Sequence, residues 1–242
     1  MKLVVTEKNI AAQKIADLLG VGKPKADKVY STPVYRFERD GEEWVTIGLR
    51  GHILEPNFVP ALTYKKRGGW IGVDANGEMI PADLPTDLPK PPFKKKKPFV
   101  PDGVELNAWK MDALPYLIYA PIEKLPKEKD IIRSLKNLAK KADSIVIATD
   151  FDREGELIGS DALTCIREVN EEAPVSRARY SAITKEEITR AFTNLVELDV
   201  DLAQAGASRQ DIDLIWGAVL TRYLTLVKFA GYGNVRSSGR VQ

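Results

Sequence analysis

Hydrophobic and polar positions fall along the chain in blocks that predict alternating strands and helices. Lys2 to Thr6 is a short apolar strand that ends on Glu7 and Lys8. Asn9 is placed to cap a helix whose apolar face is Ile10, Ile15, Leu18 and Leu19 and which Gly20 and Gly22 end. Val34 to Phe37 and Trp44 to Gly48 flank Asp40-Gly41, a hairpin pattern. Leu117 to Ala120 predicts another strand. Ile131 to Lys141 is amphipathic, with Ile131, Ile132, Leu135 and Leu138 on one side and Arg133, Lys136, Lys140 and Lys141 on the other. It leads into Ile145 to Ala148, a wholly apolar run of the kind found in the middle of a parallel sheet. Glu156, Leu157, Ile158 and Ala162 then begin a helical pattern. Arg177 to Ile183 predicts a strand, and Thr184-Lys-Glu-Glu187 opens a helix as a capping box, with Ile188, Ala191, Phe192 and Leu195 inside. A long helix follows from about Ala203 to Val227, marked by Ile212, Ile215, Trp216, Val219, Tyr223 and Leu226.

Two stretches break this rhythm. From Pro56 to about Gly103 the chain is rich in proline, about half of its 15 prolines lying between Pro81 and Pro101, and Lys94 to Lys97 is an unbroken basic run. The expectation is an extended insertion or linker with a solvated surface. The chain finishes on Gly233-Asn-Val-Arg-Ser-Ser-Gly-Arg-Val-Gln242, whose Gly, Ser and Arg content closes a compact domain poorly.

Composition narrows the function classes. With 44% hydrophobic residues among 242, there is material for one large domain or two small ones. A net charge of +2 is uninformative by itself, so the distribution of charge matters more than the sum. One cysteine, Cys165, excludes an internal disulfide and fits a reducing cytosol, and one histidine puts Cys/His zinc chemistry out of reach. The short apolar run in MKLVVTEKN is no signal peptide, and no apolar span approaches membrane length. A soluble, cytoplasmic protein is expected.

The chemistry concentrates where the buried strand gives way to a helix. Asp150, Asp152 and Glu154 put three carboxylates in five residues, and their mutual repulsion is costly. A hard divalent cation held by oxygens is the usual compensation, and Mg²⁺ with one or two carboxylates, water and phosphate suits the group. The plain alternative is an acid-rich helix start, since acids favour a first turn. A strand, an acid and a helix also open the chain at Glu7. In an open parallel sheet the carboxyl ends of adjacent strands line one crevice, so Glu7 is expected to face the same space as Asp150, Asp152 and Glu154. His52, the single histidine, stands after Gly51, which permits close backbone approach; it reads equally as structural or functional.

The strand ending in Glu7-Lys8, the GHILE segment, ATDFDREGELIG, YSAITKEEI and the terminal SSGRVQ, in that order, resemble the N-terminal part of type IA DNA topoisomerases. Glu7-Lys8 and SRQDIDLIWGAVLTRYLTL look most like the archaeal topoisomerase I and topoisomerase III branch. The resemblance implies an α/β fold: a toprim domain over 1–183, a parallel sheet flanked by helices and carrying the 56–103 insertion, then the beginning of a truncated α-helical DNA-binding domain over 184–242. It implies that Glu7 lies close to the scissile phosphodiester, that Lys8 stabilises charge there, and that Asp150, Asp152 and Glu154, with Glu7, hold Mg²⁺. Arg153 would organise the acidic pocket or simply pair with its acidic neighbours. His52, Arg209, Arg222, Ser238, Arg240 and Gln242 fall where the family contacts single-stranded DNA; Gly-Arg with Ser and Gln offers donors to phosphate. A salt-bridged helix surface is the competing reading of Arg209 and Arg222.

One departure stands out. The family's nucleophile is a tyrosine in a later domain, within a Pro-Arg-Thr-Asp/Glu-Ser-like segment, and none of Tyr30, Tyr35, Tyr64, Tyr116, Tyr119, Tyr180, Tyr223 and Tyr232 sits in such a segment. The expectation is a truncated chain, a broken gene product or one half of a split enzyme, inactive alone and completed by a C-terminal polypeptide carrying the tyrosine. Its DNA would be single-stranded or negatively supercoiled, and its place the nucleoid. Two rivals remain: a stand-alone toprim nuclease with metal-activated water, and a non-catalytic DNA-binding subunit.

Overall fold

The computed structural model describes residues 1–65, 69–85, 87–88, 103–228 and 235–239. In chain order the elements are β1 (Lys2–Thr6), α1 (Asn9–Leu19), β2 (Lys25–Val29), β3 (Thr32–Arg39), β4 (Glu42–Gly48), β5 (Leu54–Phe58), β6 (Ala61–Lys65), β7 (Gly69–Val73), β8 (Met79–Pro81) and β9 (Gly103–Glu105). There follow α2 (Leu114–Leu117), β10 (Ile122–Pro126), α3 (Lys129–Ala139), β11 (Ser144–Ile147), α4 (Arg153–Arg167), β12 (Val175–Arg177), α5 (Lys185–Thr193) and α6 (Val200–Val227). They form two compact units, Met1–Glu55 with Pro126–Ser208, and Pro56–Leu125 with Arg209–Gln242. The β5–β10 ribbon is where the chain leaves the first unit and returns to it.

The first unit is built on a six-stranded sheet in the order β12-β11-β1-β4-β3-β2. β12, β11, β1 and β4 run parallel, while β3 and β2 are antiparallel additions at one side. The apolar runs of β1 and β11 are buried on both faces, as parallel strands require. Leu3, Val5, Ile145 and Ile147 pack with Ile131, Leu135 and Leu138 of α3 and Ile158 and Ile166 of α4. Val4 and Val146 point the other way, to Ile15 of α1 and Ile188 and Phe192 of α5. Asp40-Gly41 closes the β3–β4 hairpin as a two-residue turn with both residues at positive φ, 55° and 75°.

The second unit has a four-stranded antiparallel sheet, β8-β7-β6-β9. Its core gathers Phe58, Leu62, Trp70, Val104, Leu106 and Tyr116 against Leu214, Ile215, Ala218 and Val219 of α6. The stretch expected as an extended linker is therefore β-structured from Leu54 to Lys65 and from Gly69 to Pro81; Lys94 to Lys97 lie outside the described residues.

Other expectations change locally. Leu117 to Ala120 is the end of a short helix and a turn, because Pro115 sits in its first turn and favours helix there. Lys8, not Asn9, is the N-cap of α1; Asn9 is helical and donates its amide to Tyr35 Oη at 3.0 Å. Ile10 is exposed, and the buried face of α1 is Ala11, Ala12, Ile15 and Ala16. The strand expected over Arg177 to Ile183 is instead Val175–Arg177. Thr184 caps α5 by accepting from Glu187 N, whereas the Glu187 carboxylate turns to Ser181 N. On α6, Ile212, Trp216 and Tyr223 face outward, and Leu214 and Ala218 join Ile215 and Val219 inside. Among the described residues no helix is long and apolar enough to cross a membrane.

Candidate active site

β1 and β11 are neighbours in parallel register, Val5 opposite Ile147, and Ala148 N donates to Val5 O at 2.7 Å. Their carboxyl ends therefore emerge side by side, and the residues that follow, Glu7 and Asp150, open onto one edge. β4 flanks β1 on its other side and holds the Glu7 segment by its backbone. Leu49 N donates to Thr6 O and Gly51 N to Glu7 O, both at 3.0 Å. The approach is close: a Cβ on Gly48 would lie 2.4 Å from Asn9 N.

Lys8 joins the two strand ends. Its Nζ is 2.9 Å from Glu7 Oε1 and 3.7 Å from Asp150 Oδ2. The Glu7 carboxylate, through its hydrogen bond and charge and with Asp150 behind it, raises the ammonium above the usual lysine value.

The acidic loop is tightly folded. Asp152 caps α4, Oδ1 accepting from Gly155 N at 2.7 Å, and the buried Thr149 hydroxyl donates to Gly155 O at 2.7 Å. Asp150 O packs on Gly155 so closely that a Cβ there would come within 2.0 Å of it. Glu154 Oε2 meets His52 Nε2 at 3.0 Å. His52 reaches this edge because Arg50 and Gly51 both take left-handed φ, 62° and 90°, turning the chain sharply after β4.

Arg177 braces this loop from behind. Arg153 is exposed and pairs with none of its acidic neighbours among the described residues. Arg177, at the end of β12, is wholly buried: Nε donates to Glu156 Oε1 at 2.8 Å, Nη1 to Ala178 O at 2.6 Å and Nη2 to Asp150 O at 2.9 Å. Nothing local in the sequence marks this residue; its signal is the place of β12 beside β11. The Arg179 guanidinium lies over the exposed Phe151 ring at 4.8 Å, another contact that patterning does not reveal.

Among the described residues no three His, Cys, Asp or Glu side chains converge as a metal cage. The donor chemistry nevertheless fits a hard cation. Glu7 and Asp150 offer carboxylate oxygens to one cationic atom, Lys8 Nζ, and Mg²⁺ asks for one or two protein carboxylates, completing its shell with water and phosphate.

The remaining expected DNA contacts belong to the second unit. Arg222 Nη1 donates to Leu106 O, its guanidinium lies over Trp109 at 5.6 Å, and burial lowers its pKa. Ser238 N donates to Thr221 Oγ1 at 3.0 Å, holding residues 235–239 to α6. Arg209 is half-buried on α6. Arg240 and Gln242 lie outside the described residues.

The Toprim domain model matches residues 2–183. DNA topoisomerase 1 of Archaeoglobus fulgidus is 36% identical over 244 residues, 99% of this chain and 29% of that protein. DNA topoisomerase 1 of Thermoplasma acidophilum is 34% identical over 241 residues, 100% of this chain and 25% of that protein. This chain thus spans between a quarter and a third of the length of these relatives. The structure of full-length topoisomerase I from Thermotoga maritima matches 99% of this chain and 28% of its own, with a TM-score of 0.50 at 20% identity, a likeness of fold. Sheet order, acidic edge and these likenesses agree: the chain belongs to the toprim family and is similar along its whole length to archaeal DNA topoisomerase 1 proteins.

Proposed function

We propose that this chain supplies the metal-binding half of the active site of a type IA topoisomerase, which transiently cleaves and rejoins single-stranded DNA. Residues 184–242 are, on this reading, the start of its helical DNA-binding domain. The observation that carries it is the meeting of Glu7 and Asp150 at Lys8, from the ends of two adjacent parallel strands. A tyrosine on a polypeptide beyond this chain attacks a phosphodiester; a P–O bond to that oxygen forms as the P–O bond to the leaving hydroxyl breaks. The phosphotyrosyl ester keeps the bond energy, so rejoining the strand after another passes through needs no ATP.

Glu7 stands beside the scissile phosphate and Lys8 sets its ammonium against the charge that develops there. Glu7, Asp150, Asp152 and Glu154 are the residues that hold Mg²⁺, which when bound screens and orients the phosphates, chiefly for rejoining. His52, held to Glu154, and Arg209, Arg222, Ser238, Arg240 and Gln242 bind the single strand. The protein's place is the nucleoid in the cytoplasm.

Supercoiled plasmid tests this. With Mg²⁺, the 242-residue chain is expected to leave the plasmid intact. Adding a polypeptide that bears the tyrosine domain of an archaeal relative restores relaxation, and Glu7→Gln or Lys8→Ala abolishes it. Permanent nicks from the chain alone make it a nuclease, and relaxation by the chain alone places the nucleophile within it.

A further inference from the structure

A second charged feature of the first unit lies away from the acidic edge. α3 turns Ile131, Ile132, Leu135 and Leu138 inward, and its outer side carries Lys129, Arg133, Lys136 and Lys140. These four cations line a groove of about 430 Å³ that also includes Tyr30, Asn137 and the apolar Pro126, Ile132 and Val169; among the described residues no acid lines it. Lys136 pairs with Glu168 at 2.6 Å, and among the described residues no ion pair holds Lys129, Arg133 or Lys140. From Lys129 to Lys140 the helix rises about 16 Å, long enough to follow several nucleotides.

Tyr30 distinguishes this groove from an ordinary solvated face. It occupies the two-residue turn between β2 and β3 at φ 51°, a left-handed position that Asn or Gly takes without cost and a bulky residue does not. The turn is fixed to α3, for Ser134 Oγ lies 2.9 Å from both Val29 O and Thr32 Oγ1. The ring is half-exposed, and the Arg133 guanidinium lies over it at 4.0 Å. An aromatic ring held against its backbone preference, stacked with a planar cation and bordered by lysines, is a platform for a base with phosphate partners on either side.

We propose that this groove binds single-stranded nucleic acid, Arg133 and Tyr30 stacking a base and Lys129 and Lys140 contacting its phosphates. The segment that carries α3 is tied down by backbone hydrogen bonds at both ends. Glu128 N, at the start of α3, donates to Ile53 O beyond His52, and Asp143 N, past its end, donates to Met1 O. The groove uses none of the residues assigned to cleavage and does not rest on that assignment.

Fluorescence anisotropy of a labelled oligothymidylate tests it with the whole chain, in salt from about 50 to 200 mM. Lys129→Glu with Lys140→Glu is expected to weaken binding at least about tenfold and flatten the log–log salt slope by about 1.4, two phosphate contacts' worth for single strands. Tyr30→Ala should weaken binding about tenfold with the slope unchanged, the loss of one stacked base. Lys14→Glu with Lys23→Glu, exposed lysines elsewhere on the unit, is the matched charge control. If the α3 pair lowers affinity and slope no more than this control, or if duplex DNA binds the groove as well as oligothymidylate does, the proposal is overturned. Unchanged circular dichroism melting of each variant keeps misfolding out of the comparison.

Discussion

Arg177, wholly buried, donates from Nη2 to the backbone carbonyl of Asp150 at 2.9 Å. The same guanidinium pairs with Glu156, also wholly buried, and bonds Ala178 O, so one side chain ties the end of β12 to the acidic loop and to α4. Removing one partner of a buried ion pair leaves an uncompensated charge, which costs far more than an exposed pair contributes. Arg177→Met should therefore destabilise by about 3–5 kcal/mol in urea unfolding. Adding Glu156→Leu should recover part of that and no more, since the carbonyls of Asp150 and Ala178 still lack their donor. Mg²⁺ affinity should fall about 10- to 100-fold in the folded single variant, the usual effect of removing support behind a ligand.

Gly155 and Gly159 both lie inside α4, where alanine ordinarily adds about 1 kcal/mol of stability. At Gly155 the added Cβ would come within 2.0 Å of Asp150 O, a backbone atom fixed by Arg177 and unable to yield. At Gly159 it would meet Ile147 Cγ2 at 2.6 Å, a side-chain atom with more room to adjust. Thermal melting should show Gly155→Ala to be much the worse, beyond about 4 kcal/mol or unable to fold. Similar melting of the two variants would contradict the packing of Asp150 on α4.

These residues also mark how far the sequence could be read. The acidic edge was legible, because four apolar residues ending in alternating acids are unmistakable and Glu7 repeats the strand–acid–helix order. Two neighbouring parallel strands were enough to bring Glu7 and Asp150 together at Lys8. Arg177 was not legible as a support, since its partners lie 21 and 27 positions away and depend on β12 pairing with β11. The second unit was misread for the same reason. The prolines of 81–101 and the lysine run made the whole of 56–103 look like a linker, but Leu62 and Trp70 are buried by partners as distant as Leu214 and Val219. The outward turn of Ile212 and Trp216 is invisible to a periodicity that scores both sides of α6 as apolar.

The Lys8 ammonium stands where two carboxylates meet, so it competes with any cation drawn to them. The Lys8 side chain is 63% exposed, which screens the competition. A unit charge about 4 Å away in water is worth about 1 kcal/mol, or roughly fivefold in affinity. Lys8→Met should bind Mg²⁺ severalfold more tightly in calorimetric titration while losing activity in the completed enzyme. Asp150→Asn should bind it more weakly. If Lys8→Met leaves Mg²⁺ affinity unchanged, the cation binds away from the Glu7–Asp150 pair.

Cys165 reports on whether α4 stays docked. It is buried on α4 within the core formed with α3, and burial, the largest influence on it, raises the thiol above its usual value of 9.0. The thiolate is the reactive form, so the native protein should react negligibly with a thiol reagent at pH 8 and at once in denaturant. The same shift gives a pH dependence. Above the unfolded thiol value the unfolded chain has released its proton and the native one has not, so stability falls as pH rises until the native thiol ionises too. Cys165→Ala removes this contribution at the cost of a small cavity. Its unfolding free energy should decline less between about pH 8 and 10 than that of the parent chain. Parallel declines, or fast native labelling, would mean that the helix carrying the acidic loop opens readily, and Asp152 and Glu154 would not be held as firmly as their caps and pairs require.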